Sequence, residues 1–415
     1  MKATAKNRTG DTEHSLSAVK QESKQGFWAV IVIMLGFTFF SPSMTAGGNL
    51  GIGLNMRDFF LAMLLGNAFL GLYTGVLAHV GQSTGLTLDL LARHSFGTKG
   101  SYLPSILISF TQIGWFGVGV AMFAFPVSVL LNINMTVLIL ITGVLMTATA
   151  YYGIKALAVL GSIAVPLIAV LGIYSMNVGI AEVSGFGNVF AENPGNPLTL
   201  TAALSIVIGS FISGGTATPN FTRFSKTPHI AVWATVIAFF IGNSIMFVFG
   251  AVGGAVTGNA DIFDILIAQG LMIPAILVLG LNIWTTNNNA LYTAGLGLAN
   301  ITKIRSKPMV LIGGAIGTLS AVWLYNNFIV YLSTLGGMIP PVGVVIILHY
   351  FMNKKNYGKE EPTCTDVNFG AIMAVVLGSL VGVFLNWGIS PLNALMVSAV
   401  VYIAYELIVK KNHGK

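Results

Sequence analysis

The sequence predicts an all-α polytopic membrane protein of twelve transmembrane helices. These form a five-plus-five inverted repeat with discontinuous helices 1 and 6, plus two extra helices. Composition is the first reason: of 415 residues, 55% are hydrophobic and 8% charged, with mean hydropathy +0.82, whereas soluble domains carry roughly 25% charged residues. The second is the distribution of Lys and Arg along the chain. The third is a pair of helix-breaking stretches inside otherwise apolar segments, Phe40-Ser-Pro-Ser-Met-Thr-Ala-Gly-Gly-Asn49 and Gly209-Ser-Phe-Ile-Ser-Gly-Gly-Thr-Ala-Thr-Pro-Asn-Phe-Thr-Arg223.

Each crossing needs roughly 20 apolar residues to traverse about 30 Å of hydrocarbon. Apolar runs bounded by charged, Pro or Gly-rich breaks place spans at 27–53, 58–80, 101–128, 134–152, 156–179, 199–222, 230–256, 263–297, 308–325, 328–351, 368–386 and 390–409. Spans 3 and 8 are long; span 8 reads either as tilted or as ending early and continuing along the interface. The tail 1–26 is polar, mixed in charge and without a small-residue cleavage site, so no cleaved signal is expected. The chain thus divides into a cytoplasmic tail (1–26), a core (27–351, with repeats at about 27–179 and 199–351) and a further pair of helices (368–409). The single cysteine, Cys364, has no partner for an internal disulfide and says nothing about compartment.

An even number of spans puts both termini on one side and makes the loops alternate. With the termini inside, the tail and inner loops collect every basic residue except Arg57, among them Arg93, Lys99, Lys155, Arg223, Lys226, Lys303, Arg305, Lys307, Lys354 and Lys355. The outer loops hold Glu182, Glu192 and Asp261. This is the positive-inside pattern, so the net charge of +7 reflects topology rather than nucleic-acid binding. The two breaks fall five spans apart. A repeat of five helices re-enters the bilayer upside down, so spans 1–5 and 6–10 are inverted mates, and spans 3 and 8 correspond.

Broken helices are tolerated in hydrocarbon only where the freed backbone lines a protein-enclosed cavity. Gly214, Gly215 and Pro219 supply the break in span 6, just after Phe211 and Ser213. A kinked helix with no ligand is the plain alternative, and Gly47 and Gly48 of span 1 read equally as packing residues. In span 3, Thr111-Gln-Ile-Gly-Trp-Phe-Gly-Val-Gly119 puts Gln112 and Trp115 on one face, three residues apart. An aromatic plate beside an amide suits a flat, hydrogen-bonding heteroaromatic ring. Alone, Trp115 is better read as lipid- or interface-facing, with the glycines permitting close packing; Gln112 resists that reading, because a mid-span amide needs partners.

Span 8 contains Asn282-Ile-Trp-Thr-Thr-Asn-Asn-Asn289, where Asn282, Thr285, Thr286 and Asn289 form one polar stripe. Hydroxyl and carbonyl oxygens suit a hard monovalent cation, and unwound backbone near Phe37 to Ser41 would complete the shell. The competing reading is threonines bonding back to their own helix and asparagines holding helices together. No Asp or Glu falls mid-span, and Asp264 and Glu406 lie near span ends. A proton-driven carrier usually relies on such a group, so sodium is the expected coupling ion and the substrate is expected to be neutral. The sequence holds no phosphate loop, paired carboxylates or nucleophile elbow, and no enzyme is expected. Ile339-Pro-Pro-Val342 reads as a kink or an outer hinge.

The segments Thr111 to Ala124, Gly209 to Thr216, Asn282 to Asn287 and Trp323-Leu-Tyr-Asn-Asn-Phe328 resemble the nucleobase–cation symport family. The resemblance runs from about residue 27 to near the C-terminus. It implies the inverted-repeat fold, alternating access and sodium-coupled uptake of cytosine across a bacterial cytoplasmic membrane. It also implies that the base stacks between Trp115 and Phe211, with Gln112, Ser213 and Asn282 reading its polar edge; Asn289 is grouped with these substrate contacts. The ion would be held by carbonyls near Phe37, Phe40 and Asn282 and by the hydroxyls of Thr285 and Thr286. Hydantoin-carrying relatives commonly have a second tryptophan where Phe211 stands and an asparagine where Leu291 stands, departures that favour a smaller pyrimidine. Membrane lipid is the other expected partner. The alternatives are a proton-coupled carrier or a facilitator for uracil, a purine or a hydantoin.

Overall fold

A computed structural model describes residues 14–152, 154–191, 194–357, 365–385 and 387–413. The first half of the tail, Glu192 and Cys364 lie outside the described residues. Span 1 is two helices, α1 (Phe27–Thr38) and α2 (Ser41–Gly53), bent by 51°. The break is Phe39 and Phe40, the latter in extended backbone, and α2 restarts with Pro42 in its first turn, where a missing N–H costs nothing. Gly47 and Gly48 therefore lie inside α2, not at the break.

Spans 2–5 are α3 (Met56–Thr84), α5 (Tyr102–Leu131), α6 (Met135–Ala150) and α7 (Ile154–Glu182), with a short α4 (Leu88–Phe96) between spans 2 and 3. Polar caps set these starts: Asn55, Thr87 and Asn134 side chains accept from backbone N–H groups of the first turns. Gly85, in left-handed backbone at φ +68°, ends α3.

Span 6 is α8 (Leu200–Thr216) followed by a single turn, α9 (Pro219–Thr222). Gly214 and Gly215 continue α8, and the break comes after them, at Ala217 and Thr218. Proline, which cannot donate to the preceding turn, marks the break more sharply than glycine, which only weakens a helix.

Span 7 joins α10 (Pro228–Val236) to α11 (Asn243–Thr257) through a π-helical segment, Ile237–Gly242. The stretch expected as one long span 8 is divided. A short α12 (Ile262–Ala268) ends near Gly270, which sits at φ +75°, and the span proper runs through α13 (Met272–Pro274), a second π segment (Ala275–Leu279) and α14 (Gly280–Thr302). Span 9 is α15 (Ser306–Asn326); span 10 is α16 (Phe328–Met338) and α17 (Pro340–Met352), divided at the Ile339-Pro340 step. The last pair, α18 (Phe369–Phe384) and α19 (Ser390–His413), packs on α16 and α17.

The inverted pairing is visible in how the broken helices are seated. The second half of span 1 lies on span 7: a Cβ on Gly47 would come 2.2 Å from the Phe247 carbonyl oxygen, and one on Gly250 would come 1.8 Å from that of Met44. In the other repeat, the second half of span 6 lies on span 2, where a Cβ on Gly81 would meet Pro219 Cα at 2.7 Å. Without a hydrophobic driving force between helices in lipid, such backbone-to-backbone approaches are what hold them together. Spans 3 and 8 pack directly on each other, with Gly119 against Asn287.

Candidate functional site

The span 1 break, α8, span 3 and span 8 meet around a narrow cavity of about 10 Å³, lined by Phe37, Phe40, Gln112, Trp115, Ser210, Phe211, Gly214, Thr286, Asn287 and Ala290. Gln112 and Trp115 reach it together, as the i, i+3 spacing on α5 requires. On α8, Ser210 and Gly214 share a face four residues apart beside Phe211, because the helix continues to Thr216. Reading the break at Gly214 hid both residues from sequence reasoning.

Aromatic rings dominate the walls. The Phe40 ring meets Trp115 edge-on at 5.6 Å and Phe211 at 6.2 Å, and Phe37 meets Phe211 at 5.4 Å with a 90° interplanar angle. Tyr331 of α16 covers another side of Trp115 at 5.7 Å, and its hydroxyl donates to the Thr111 carbonyl. Phe37 and Phe40, expected only as backbone ligands, thus contribute rings to the cavity. The Trp115 indole N–H donates to Ser213 Oγ at 2.9 Å, so the aromatic plate is fixed by the hydroxyl expected to read a ligand. Gln112 is 1% exposed, and its Nε2 has no hydrogen-bond partner among the described residues. A buried amide donor left unpaired costs about 1–3 kcal/mol, so a ligand with a matching acceptor gains from it. Among the described residues, the lining contains no carboxylate or histidine.

Helix α14 presents two faces. Thr286, Asn287 and Ala290 line the cavity, while the stripe Asn282, Thr285, Thr286 and Asn289 is rotated from it, so Thr286 alone belongs to both. Asn282 lies at the span 1 break: its Oδ1 accepts from both the backbone N and the hydroxyl of Ser41, each at 2.8 Å, and its Nδ2 donates to the Phe39 carbonyl. Asn282 thereby satisfies backbone groups that the broken helix leaves over, and it does not line the cavity. Thr285 Oγ1 donates to Leu281 O at 2.9 Å within its own helix, and its methyl faces Gly36, whose added Cβ would come 3.0 Å away. Thr286 Oγ1 lies 3.3 Å from Asn282 O and 3.4 Å from Gly36 O. Asn289 is fully buried, and neither side-chain atom has a partner among the described residues.

Around Thr286, therefore, α1 and α14 bring together the Thr286 hydroxyl and the carbonyl oxygens of Gly36 and Asn282. That donor set suits a hard monovalent cation. Of these carbonyls, that of Asn282 is an expected one and that of Gly36 adjoins the expected Phe37, while the Phe39 carbonyl, next to the expected Phe40, accepts from Asn282 Nδ2. Asn287 was legible only as part of an asparagine run; its Nδ2 donates to Phe116 O at 3.1 Å, fixing it against α5.

A family described as permease for cytosine/purines, uracil, thiamine, allantoin matches residues 18–406. This chain belongs to that family of multi-pass membrane permeases. It is 51% identical over 402 residues to a protein named cytosine permease from Escherichia coli (strain K12), covering 97% of this chain and 96% of that one. Among solved structures, it superposes on Mhp1, a nucleobase-cation-symport-1 family transporter in a closed conformation with bromovinylhydantoin bound. The TM-score is 0.81 at 19% identity, covering 95% of each chain. A Na+-coupled sialic acid symporter matches with TM-score 0.73 at 12% identity, over 95% of this chain and 91% of the other. The relatives are permeases and transporters, not enzymes, and the inverted-repeat fold expected from the spacing of the breaks is the one they share.

Proposed function

We propose that this permease imports cytosine into the bacterial cell by alternating access, coupled to the inward movement of sodium. The observation that carries the proposal is the aromatic cavity between the span 1 break and α8, where Gln112 Nε2, without a hydrogen-bond partner among the described residues, adjoins Trp115 and Phe211. A flat heteroaromatic ring stacks on such walls at about 1–3 kcal/mol per base, and a neutral ring needs no counter-charge there. The near-full-length similarity to a cytosine permease supports cytosine among the family's substrates. Gln112, Asn287 and Ser210, which line the cavity, would read its polar edge. Ser213 contributes by holding Trp115, and Asn282 serves the contact between span 1 and span 8.

Sodium is cargo in this reading. Its proposed ligands are the Thr286 hydroxyl with carbonyls of the span 1 break and of Asn282, and Thr285 would join by turning its hydroxyl from Leu281. Because these oxygens come from both α1 and α14, an ion would draw the two helices together as the base seats against Phe40. The core is residues 27–351, with 368–409 peripheral to it, in a cytoplasmic membrane with both termini inside. The test is uptake of labelled cytosine by vesicles with sodium replaced by choline at constant pH. Uptake above equilibrium in sodium and its loss in choline are expected. Undiminished accumulation in choline overturns sodium coupling, and equilibration alone would make the protein a facilitator.

A further inference from the structure

The segment 14–26 is not a loose tail: it lies across the inner ends of spans 2 and 6. Val19, 8% exposed, donates its backbone N–H to Gly85 O at 2.9 Å. Gln25 pairs with the chain just beyond α9 in strand fashion, giving its N–H to Phe224 O at 2.6 Å and accepting from Lys226 N at 2.9 Å. The Gln82 side chain holds the same turn from α3 through Ser225 O, at 3.3 Å.

Beneath this strap lies Arg223, an arginine with no exposed surface. Its guanidinium donates to three different elements: to Asn220 O in α9 at 3.2 Å, to Tyr292 Oη on α14 at 3.1 Å, and to His14 O of the strap at 2.8 Å. It also lies 4.7 Å above the Phe224 ring. Asp89 at the start of α4 is the carboxylate whose charge it shares with Arg93; burial pushes that carboxyl up to about 6. A buried cation is tolerated only while its donors are paired, so separating any one element from the others leaves part of it unpaired. Arg223 therefore ties the short second half of span 6 to span 8, and the strap completes the tie.

We propose that residues 14–26 and Arg223 form an inner latch, which holds span 6 against span 8 on the cytoplasmic side and must lift before the cavity opens inward. The inference rests on the alternating-access reading. His14 supplies a backbone carbonyl, so the latch depends on the strap being seated rather than on that side chain.

The experiment uses the full chain with Cys364→Ser and a single reporter thiol, Ala290→Cys, in the cavity wall. Alkylation by a membrane-impermeant maleimide is timed in inside-out and right-side-out vesicles. Gln25→Pro removes the strap's N–H to Phe224, and Tyr292→Phe removes the span 8 acceptor while keeping the ring that packs on Phe221. Either variant should raise the inside-out rate roughly tenfold, the shift expected from one charge-assisted or backbone hydrogen bond, with no rise in the right-side-out rate. Equal increases on both faces would mark general loosening and overturn the latch, as would unchanged rates on both. Slowing of alkylation by added cytosine in the parent reports the transport reading separately, so failure of one is distinguishable from failure of the other.

Discussion

Trp115 and Asn282 were both expected to touch the ligand, yet the structure gives them different work. Trp115 is held on three sides, by Phe40, Tyr331 and the Ser213 hydroxyl, so its plate is preorganised. Trp115→Ala should weaken cytosine binding by about 1–3 kcal/mol, ten- to a hundred-fold, with little change in the melting temperature of the ligand-free protein. Asn282→Ala should do the reverse in the free protein. It strands the Ser41 N–H and the Phe39 carbonyl, lowering stability by about 1–3 kcal/mol before any ligand is added. Thermal unfolding with and without cytosine separates the two, and a normal ligand-free stability for Asn282→Ala would return that residue to the substrate. The residue types were readable because amides and indoles are rare mid-span and demand partners. Which partner each takes depends on rotation about the helix axis, which spacing alone does not fix.

The helices themselves follow from local signals where those signals are strong. Prolines at Pro42 and Pro219 open the second halves of spans 1 and 6, and Thr, Asn and Asp caps start many of the others. The glycines near the breaks do something else: Gly47, Gly51, Gly250 and Gly254 form the seam between α2 and α11, where any Cβ would enter backbone. Gly250→Ala should therefore force the two helices apart, at about 1–3 kcal/mol or more. The measurement is monodispersity and melting temperature of the purified variant, against Gly187→Ala, where a Cβ meets nothing within 4 Å. An unchanged Gly250→Ala would mean that the seam is not tight. The two π segments had no sequence signal: an extra residue per turn arises where neighbouring helices constrain the ends, here around Gly242 against Thr38.

For the molecule as a whole, the strongest statement from sequence is the pattern of charge. In the twelve-span reading with both termini inside, all basic residues but Arg57 are expected on one side. The corresponding prediction is sidedness: with Cys364 replaced by Ser, Lys303→Cys should react with an impermeant thiol reagent only in inside-out vesicles, and Arg57→Cys only in right-side-out ones. Reaction of both from one face would refute the orientation.

What the sequence determined by itself is what depends on composition and parity. Apolar length counts the spans, the positive-inside pattern orders the loops, and two breaks an odd number of spans apart require inverted repeats. Tertiary structure decided where each break falls, which face of span 8 meets the cavity, and that Phe37 and Phe40 wall the site with rings. It also brought the tail over Arg223. These outcomes turn on contacts between segments far apart in the chain: a helix's period gives the relative angles of its side chains, and only its neighbours set the absolute one.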